Sequence, residues 1–191
     1  MSTVGLVLTG RGGQGVKLAT ELLAFASSRE GKVPVQYSVY GALIRGGDIA
    51  SFLAVSETDP GLPLRSSYDY MLALHNNWYD KYYELLAPGG TLIADARQIP
   101  AGWMCRSDIT HRVVDFTAIA AEHGDVRAAN MVAAGVMAAT SGIVTLEALR
   151  SGLEDVVPPH RADRIASNLQ AVRGGYNLAL GWTSSVVQGL A

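Results

Sequence analysis

Apolar positions fall in short blocks, and the period inside the blocks changes along the chain. Residues 4–8 form an apolar run that stops at Gly10, the pattern of a buried strand. Val16–Arg29 carries Leu18, Leu22, Phe25 and Ala26 at helical spacing, and Gly31 ends it. Residues 33–39 alternate, with Val35, Tyr37 and Val39 on one side. Residues 50–55, 70–74 and 91–94 read as further strands. Residues 77–86 read as a helix stopped by a turn at Pro88, Gly89 and Gly90.

The second half is richer in helical spacing. Residues 111–116 close the strand series. Helices are predicted over 117–122, 130–140 and 145–152, with a long closing helix over 161–180 that Gly174 and Gly175 weaken at its middle. Strands separated by helices predict an α/β fold: a mostly parallel, Rossmann-like sheet with helices on both faces and a helical C-terminal part. No repeat, low-complexity stretch or Pro/Ser-rich linker interrupts the pattern, so residues 1–191 read as one domain. Residues 128–146 lack charge, but Asn130, Thr140, Ser141, Gly142 and Thr145 break them up. A membrane-spanning helix needs about 20 mostly apolar residues, so this reads as a buried helix and a turn, with Asn130 placed to cap its start.

Composition narrows the chemistry. Net charge is −2 and no Lys/Arg run occurs, which argues against nucleic acid as a partner. Charged residues make up 17%, against about 25% in ordinary soluble domains, which fits either a surface partly covered by another subunit or a compact, alanine-rich α/β core. Cys105 is the only cysteine, so the chain forms no internal disulfide and cannot by itself hold an iron–sulfur cluster, which commonly takes four thiolates. A reducing, cytoplasmic location is expected. The scattered histidines give no metal-site spacing, and the N-terminus lacks the basic region of a signal peptide.

Two glycine-rich segments stand out. Gly10, Arg11, Gly12, Gly13, Gln14 and Gly15 satisfy G-x-G-x-x-G between the first strand and first helix. Glycines there let an anion approach main-chain N–H groups at a helix N-terminus, or simply make a tight turn. A dinucleotide site also wants an acid about 20 residues on, at the end of the second strand. That strand ends at Ser38, Val39, Tyr40 and Gly41, without one. Walker and G-x-S-x-G signatures are missing too. The second segment, Tyr40, Gly41, Ala42, Leu43, Ile44, Arg45, Gly46 and Gly47, joins the second and third strands. It lies at the same sheet edge if the chain crosses over between them, and Arg45 could then face an anion near Arg11, or stand on a surface turn.

Together the two segments resemble the gamma subunit or domain of pyruvate, 2-oxoisovalerate and 2-oxoglutarate:ferredoxin oxidoreductases, and the beta subunit of indolepyruvate oxidoreductase. The resemblance continues through Pro88, Gly89, Gly90, Thr91, Leu92 and Ile93, through Gly124 and the Arg127-to-Asn130 run, and to Asn168, Gly175 and Tyr176. Two features depart from the common pattern: Arg11, often apolar or aromatic in relatives, and the Ala42-Leu43-Ile44 stretch. The resemblance implies a subunit of an enzyme that oxidatively decarboxylates a 2-oxoacid to an acyl-CoA. Thiamine diphosphate, its magnesium and the iron–sulfur clusters are implied on partner subunits, with ferredoxin as electron acceptor. No catalytic residue and no metal ligand is assigned to this chain. Coenzyme A is implied as a shared co-substrate, and the coenzyme A edge is placed on Gly10, Arg11, Gly12, Gly13, Gln14, Gly15, Tyr40, Gly41, Arg45, Gly46 and Gly47. Two other readings remain open: a stand-alone nucleotide- or coenzyme A-binding module, and a purely structural subunit whose loops touch only protein.

Overall fold

The structure, a computed structural model, describes residues 3–41 and 46–182. A six-stranded sheet has the order β2-β3-β1-β4-β5-β6. The strands are β1 (Val4–Arg11), β2 (Val33–Tyr40), β3 (Asp48–Ser56), β4 (Tyr68–Ala73), β5 (Leu86–Asp95) and β6 (Thr110–Val114). The sheet is mixed. β1, β4, β5 and β6 run parallel, while β3 lies antiparallel to both β1 and β2. Helix α1 (Val16–Arg29) carries the chain from β1 to β2, and β3 then folds back into the gap between them.

Five further helices follow: α2 (Trp78–Tyr82), α3 (Phe116–Glu122), α4 (Ala129–Ser141), α5 (Leu146–Val156) and α6 (Ile165–Trp182). Residues 130–138 of α4 are all buried, as their uncharged sequence predicts. Gly142, at φ 67°, ends that helix in the left-handed conformation. Thr145 caps α5, its hydroxyl accepting from Ala148 N at 3.2 Å. No helix among the described residues is long and apolar enough to cross a membrane.

The two sheet faces bury different chemistry. On one, α1, α4, α5 and α6 pack aliphatic residues such as Leu22, Leu53, Met137 and Val172. On the other, Trp78 of α2 and Tyr83 of the following turn join Phe52 of β3 and Tyr68 of β4 in an aromatic cluster, with Trp103 against it. Trp78 and Trp103 meet edge to face at 5.6 Å.

Three expectations change. The 77–86 helix is only α2 followed by one 3₁₀ turn, because Leu86 already joins β5. Pro88, Gly89 and Gly90 do not stop that element. They form an irregularity inside β5, where the partner of Leu86 is Tyr68 and that of Thr91 is Tyr70. Gly174 and Gly175 do not weaken the closing helix; they let it touch its neighbours. A Cβ on Gly175 would lie 2.0 Å from the Val132 carbonyl oxygen, and one on Gly135 2.1 Å from that of Val172.

Candidate functional site

Strands β1, β4, β5 and β6 deliver their C-terminal ends to one edge, where open α/β sheets bind ligands. Residues 10–15 lie there, as do Tyr40, Gly41, Gly46 and Gly47 of the second segment. The crossover through α1 brings β2 to the same edge, and β3 starts back from it, so Arg11 faces Asp48 in the β1–β3 ladder. Gly12 N donates to Gly47 O at 2.8 Å, and Gly41 N to Asp48 O at 2.7 Å. Gly12 is closely approached, since a Cβ on it would sit 3.2 Å from Gly46 N. The two segments are therefore one hydrogen-bonded unit.

The first loop is braced from within. Gln14 Oε1 accepts from Arg11 N at 2.6 Å, and Gln14 Nε2 donates to Leu74 O at 2.7 Å. Both ends of its amide are thus engaged in holding the loop. Gly10 has no room for a side chain, with Val16 Cγ2 2.7 Å from a would-be Cβ. Gly13 and Gly15 adopt φ 98° and 75°, which favour glycine strongly. Gly15 begins α1 without a side-chain cap. The N–H groups of Gly13 and Gly15 have no hydrogen-bond partner among the described residues, as is usual for the donors at a helix start.

Gly13 and Gly15 also line a depression of about 350 Å³, together with Arg11, Lys17, Glu21 and Tyr40. Lys17 is paired with Glu21 at 2.6 Å. The Arg11 side chain is half exposed, with Nε 3.9 Å from the Asp48 carboxylate, which also pairs with Lys81. One carboxylate thus faces two cations, and a positive balance remains at the rim. The hydrogen bond from Lys81, then the charges of Lys81 and Arg11, hold the Asp48 carboxyl below its ordinary range, and burial opposes them. Behind the loop, burial and then the Arg11 charge push the His75 imidazole down, against the opposing charge of Asp48. Asn77 Nδ2 donates to Gly10 O at 3.1 Å.

Of the residues expected at the site, Gly10, Arg11, Gly12, Gly13, Gln14, Gly15, Tyr40, Gly41, Gly46 and Gly47 come together at this edge. Arg45 lies outside the described residues. Asn130 does not cap α4, whose N-cap is Ala128. Its buried amide instead reaches Gly15 O at 3.4 Å, so it ties α4 to the glycine loop. The capping role fails because the helix begins a residue before it.

A second cavity, of about 270 Å³, lies on the other side of Gly13, lined by Gln14, Asp95, Thr117, Arg127 and Asn130 among others. Asp95 ends β5, is 8% exposed, and accepts from Arg97 N at 2.9 Å. Burial, then the negative charge of Asp115, pushes its carboxyl up, and the Arg97 N–H opposes the shift. Asp95, Lys17 and Asp48 escaped the sequence reading. The acid immediately after the apolar run Leu92, Ile93, Ala94 was a usable signal, since it places a carboxylate at a strand's C-terminal end. Among the described residues, no cluster of three or more His, Cys, Asp or Glu side chains is arranged to hold a metal ion.

The family model for pyruvate ferredoxin/flavodoxin oxidoreductase matches residues 5–178. The 2-oxoglutarate synthase subunit KorC of Methanocaldococcus jannaschii is 31% identical over 90% of this chain and 91% of its own length. The gamma subunit of the keto/oxoacid ferredoxin oxidoreductase of Geobacter sulfurreducens superimposes with a TM-score of 0.80 at 29% identity, covering 95% of this chain and 98% of that one. A third likeness is of fold alone. The 2-oxoglutarate:ferredoxin oxidoreductase of Magnetococcus marinus, with 2-oxoglutarate, coenzyme A and succinyl-CoA bound, gives a TM-score of 0.78 at 21% identity, with 95% of this chain on 32% of that one.

Proposed function

The chain belongs to the pyruvate ferredoxin/flavodoxin oxidoreductase family, and from that footing we propose that it is the gamma-type subunit of a cytoplasmic, thiamine diphosphate-dependent 2-oxoacid:ferredoxin oxidoreductase, forming one edge of its coenzyme A site. Partner subunits hold the thiamine diphosphate, its magnesium and the iron–sulfur clusters. This chain, one domain over residues 1–191, holds no redox centre of its own. Its part is to bind and orient.

The observation that carries this reading is the junction of the two glycine segments. The Gly12–Gly47 hydrogen bond fixes a loop whose Arg11, Gly13 and Gly15 line one depression. Coenzyme A carries a pyrophosphate and a 3′-phosphate. Main-chain N–H groups at a helix start and a guanidinium suit such groups, the latter through paired hydrogen bonds. The bound coenzyme A of the Magnetococcus marinus enzyme is in keeping with this role.

An assembly role has its own support. Along β2 and the facing side of α1, Phe25, Val33, Tyr37, Val39 and Tyr40 are between 40% and 60% exposed. That is an apolar rim beside an open sheet edge, of the kind that subunits cover. Reconstitution tests the need for the chain that both roles share. The complex assembled without this chain should lose coenzyme A-dependent 2-oxoacid oxidation, and adding the full chain should restore it. Full turnover without the chain, with an unchanged KM for coenzyme A, would remove the proposal.

A further inference from the structure

The cavity on the far side of Gly13 differs chemically from the Arg11 depression. Asp95 lines it and is more than nine-tenths buried. One of its oxygens accepts from Arg97 N, and the other has no hydrogen-bond partner among the described residues. Asn130, also more than nine-tenths buried, and Thr117 line the same space. Arg127 on the rim is held by Asp125 through bonds of 2.9 and 3.0 Å. Arg97 nearby is paired with Asp115 at 3.0 Å. A phosphate or carboxylate entering here would meet a buried carboxylate with no unpaired guanidinium to offset it. The space suits instead an uncharged group that donates hydrogen bonds. Its volume, about 270 Å³, falls below the roughly 300–1,000 Å³ of sites for larger ligands. That matches one sugar ring.

We propose that the Asp95–Thr117–Asn130 cavity is a second ligand site, which takes the free vicinal diol of a ribose or a similar polyhydroxyl group. The two hydroxyls donate to the Asp95 carboxylate and the Asn130 amide oxygen, and the Thr117 hydroxyl donates in return. Coenzyme A does not supply this group, because its 3′-phosphate leaves only one of the two ribose hydroxyls. The site therefore stands whether or not the Arg11 depression binds coenzyme A. The open sheet edge beyond β1, β4 and β5 is where nucleosides are commonly held in such folds, though here the acid follows β5.

The test is a titration of the full-length chain with adenosine, followed by amide NMR. Saturable shifts are expected at Gly13, Thr117 and Asn130. Asp95→Asn keeps an oxygen for Arg97 N and so preserves the local turn. It should weaken adenosine about tenfold or more, as should 2′,3′-dideoxyadenosine in place of adenosine. Arg11→Ala should leave adenosine affinity unchanged, which separates this site from the phosphate-binding face. Absence of saturable shifts in the wild-type chain, equal affinity for the dideoxynucleoside, or unaltered binding by a folded Asp95→Asn chain overturns the proposal.

Discussion

Glycine does opposite work in two regions of this molecule. In the loop after β1, Gly13 and Gly15 are needed for backbone conformation, with φ 98° and 75°. At the contact of α4 with α6, Gly135 and Gly175 have ordinary helical backbone and are needed for space. The loop glycines leave N–H groups without a hydrogen-bond partner among the described residues. The helix glycines bring two backbones together and close solvent out. One residue type serves the site by what it leaves unpaired and the core by what it omits.

Substitution separates the two uses, and the helix pair should be the more sensitive. A Cβ at Gly175 would sit 2.0 Å from a backbone oxygen, which no side-chain rotation relieves. Gly175→Ala should destabilise by about 3 kcal/mol or more, above the usual range for overpacking. Thermal unfolding should show a midpoint lower by roughly 6–12 °C. Gly15→Ala combines left-handed backbone with a Cβ 2.4 Å from the Asn130 amide nitrogen. About 2 kcal/mol is expected, part of it recovered when Asn130→Ala is added, as a double-mutant cycle would measure. Gly13→Ala meets nothing within 4 Å and retains only the conformational penalty, about 1 kcal/mol.

Asp95→Asn should act in the other direction. Burial raises the Asp95 carboxyl above its ordinary value of 3.8. The stability it contributes is fully present below that value and is lost as pH rises through the folded-state pKa. Asparagine does not ionise, so the variant should melt above wild type at pH 7, and the two curves should converge below about pH 3.8. A gap that persists unchanged at low pH would assign the effect to something other than the buried charge.

The strands were legible in the sequence because each is a short apolar run closed by punctuation. The reversal of β3 was not, since apolar content carries no strand direction and does not show that β2 and β3 pair antiparallel. The joining of the two glycine segments followed from the crossover through α1 and was foreseeable as a condition. Gly174 and Gly175 were misread because propensity describes an isolated helix, whereas α6 is set by what packs on it. Asn130 was read locally as a cap, yet its partner is Gly15, distant in sequence. Asp95 was passed over because no motif named it, although its position after β5 was visible.

The central claim is that the loop around Arg11 meets the phosphates of coenzyme A in the assembled enzyme. Its most direct test is steady-state kinetics of the reconstituted complex carrying Arg11→Ala. Loss of one charge-assisted contact, about 1.5–3 kcal/mol, should raise the KM for coenzyme A roughly ten- to hundredfold. The KM for the 2-oxoacid should stay at its wild-type value and the subunit should remain in the complex. An unaltered KM for coenzyme A, or a subunit that dissociates while the remaining enzyme keeps that constant, would contradict the assignment.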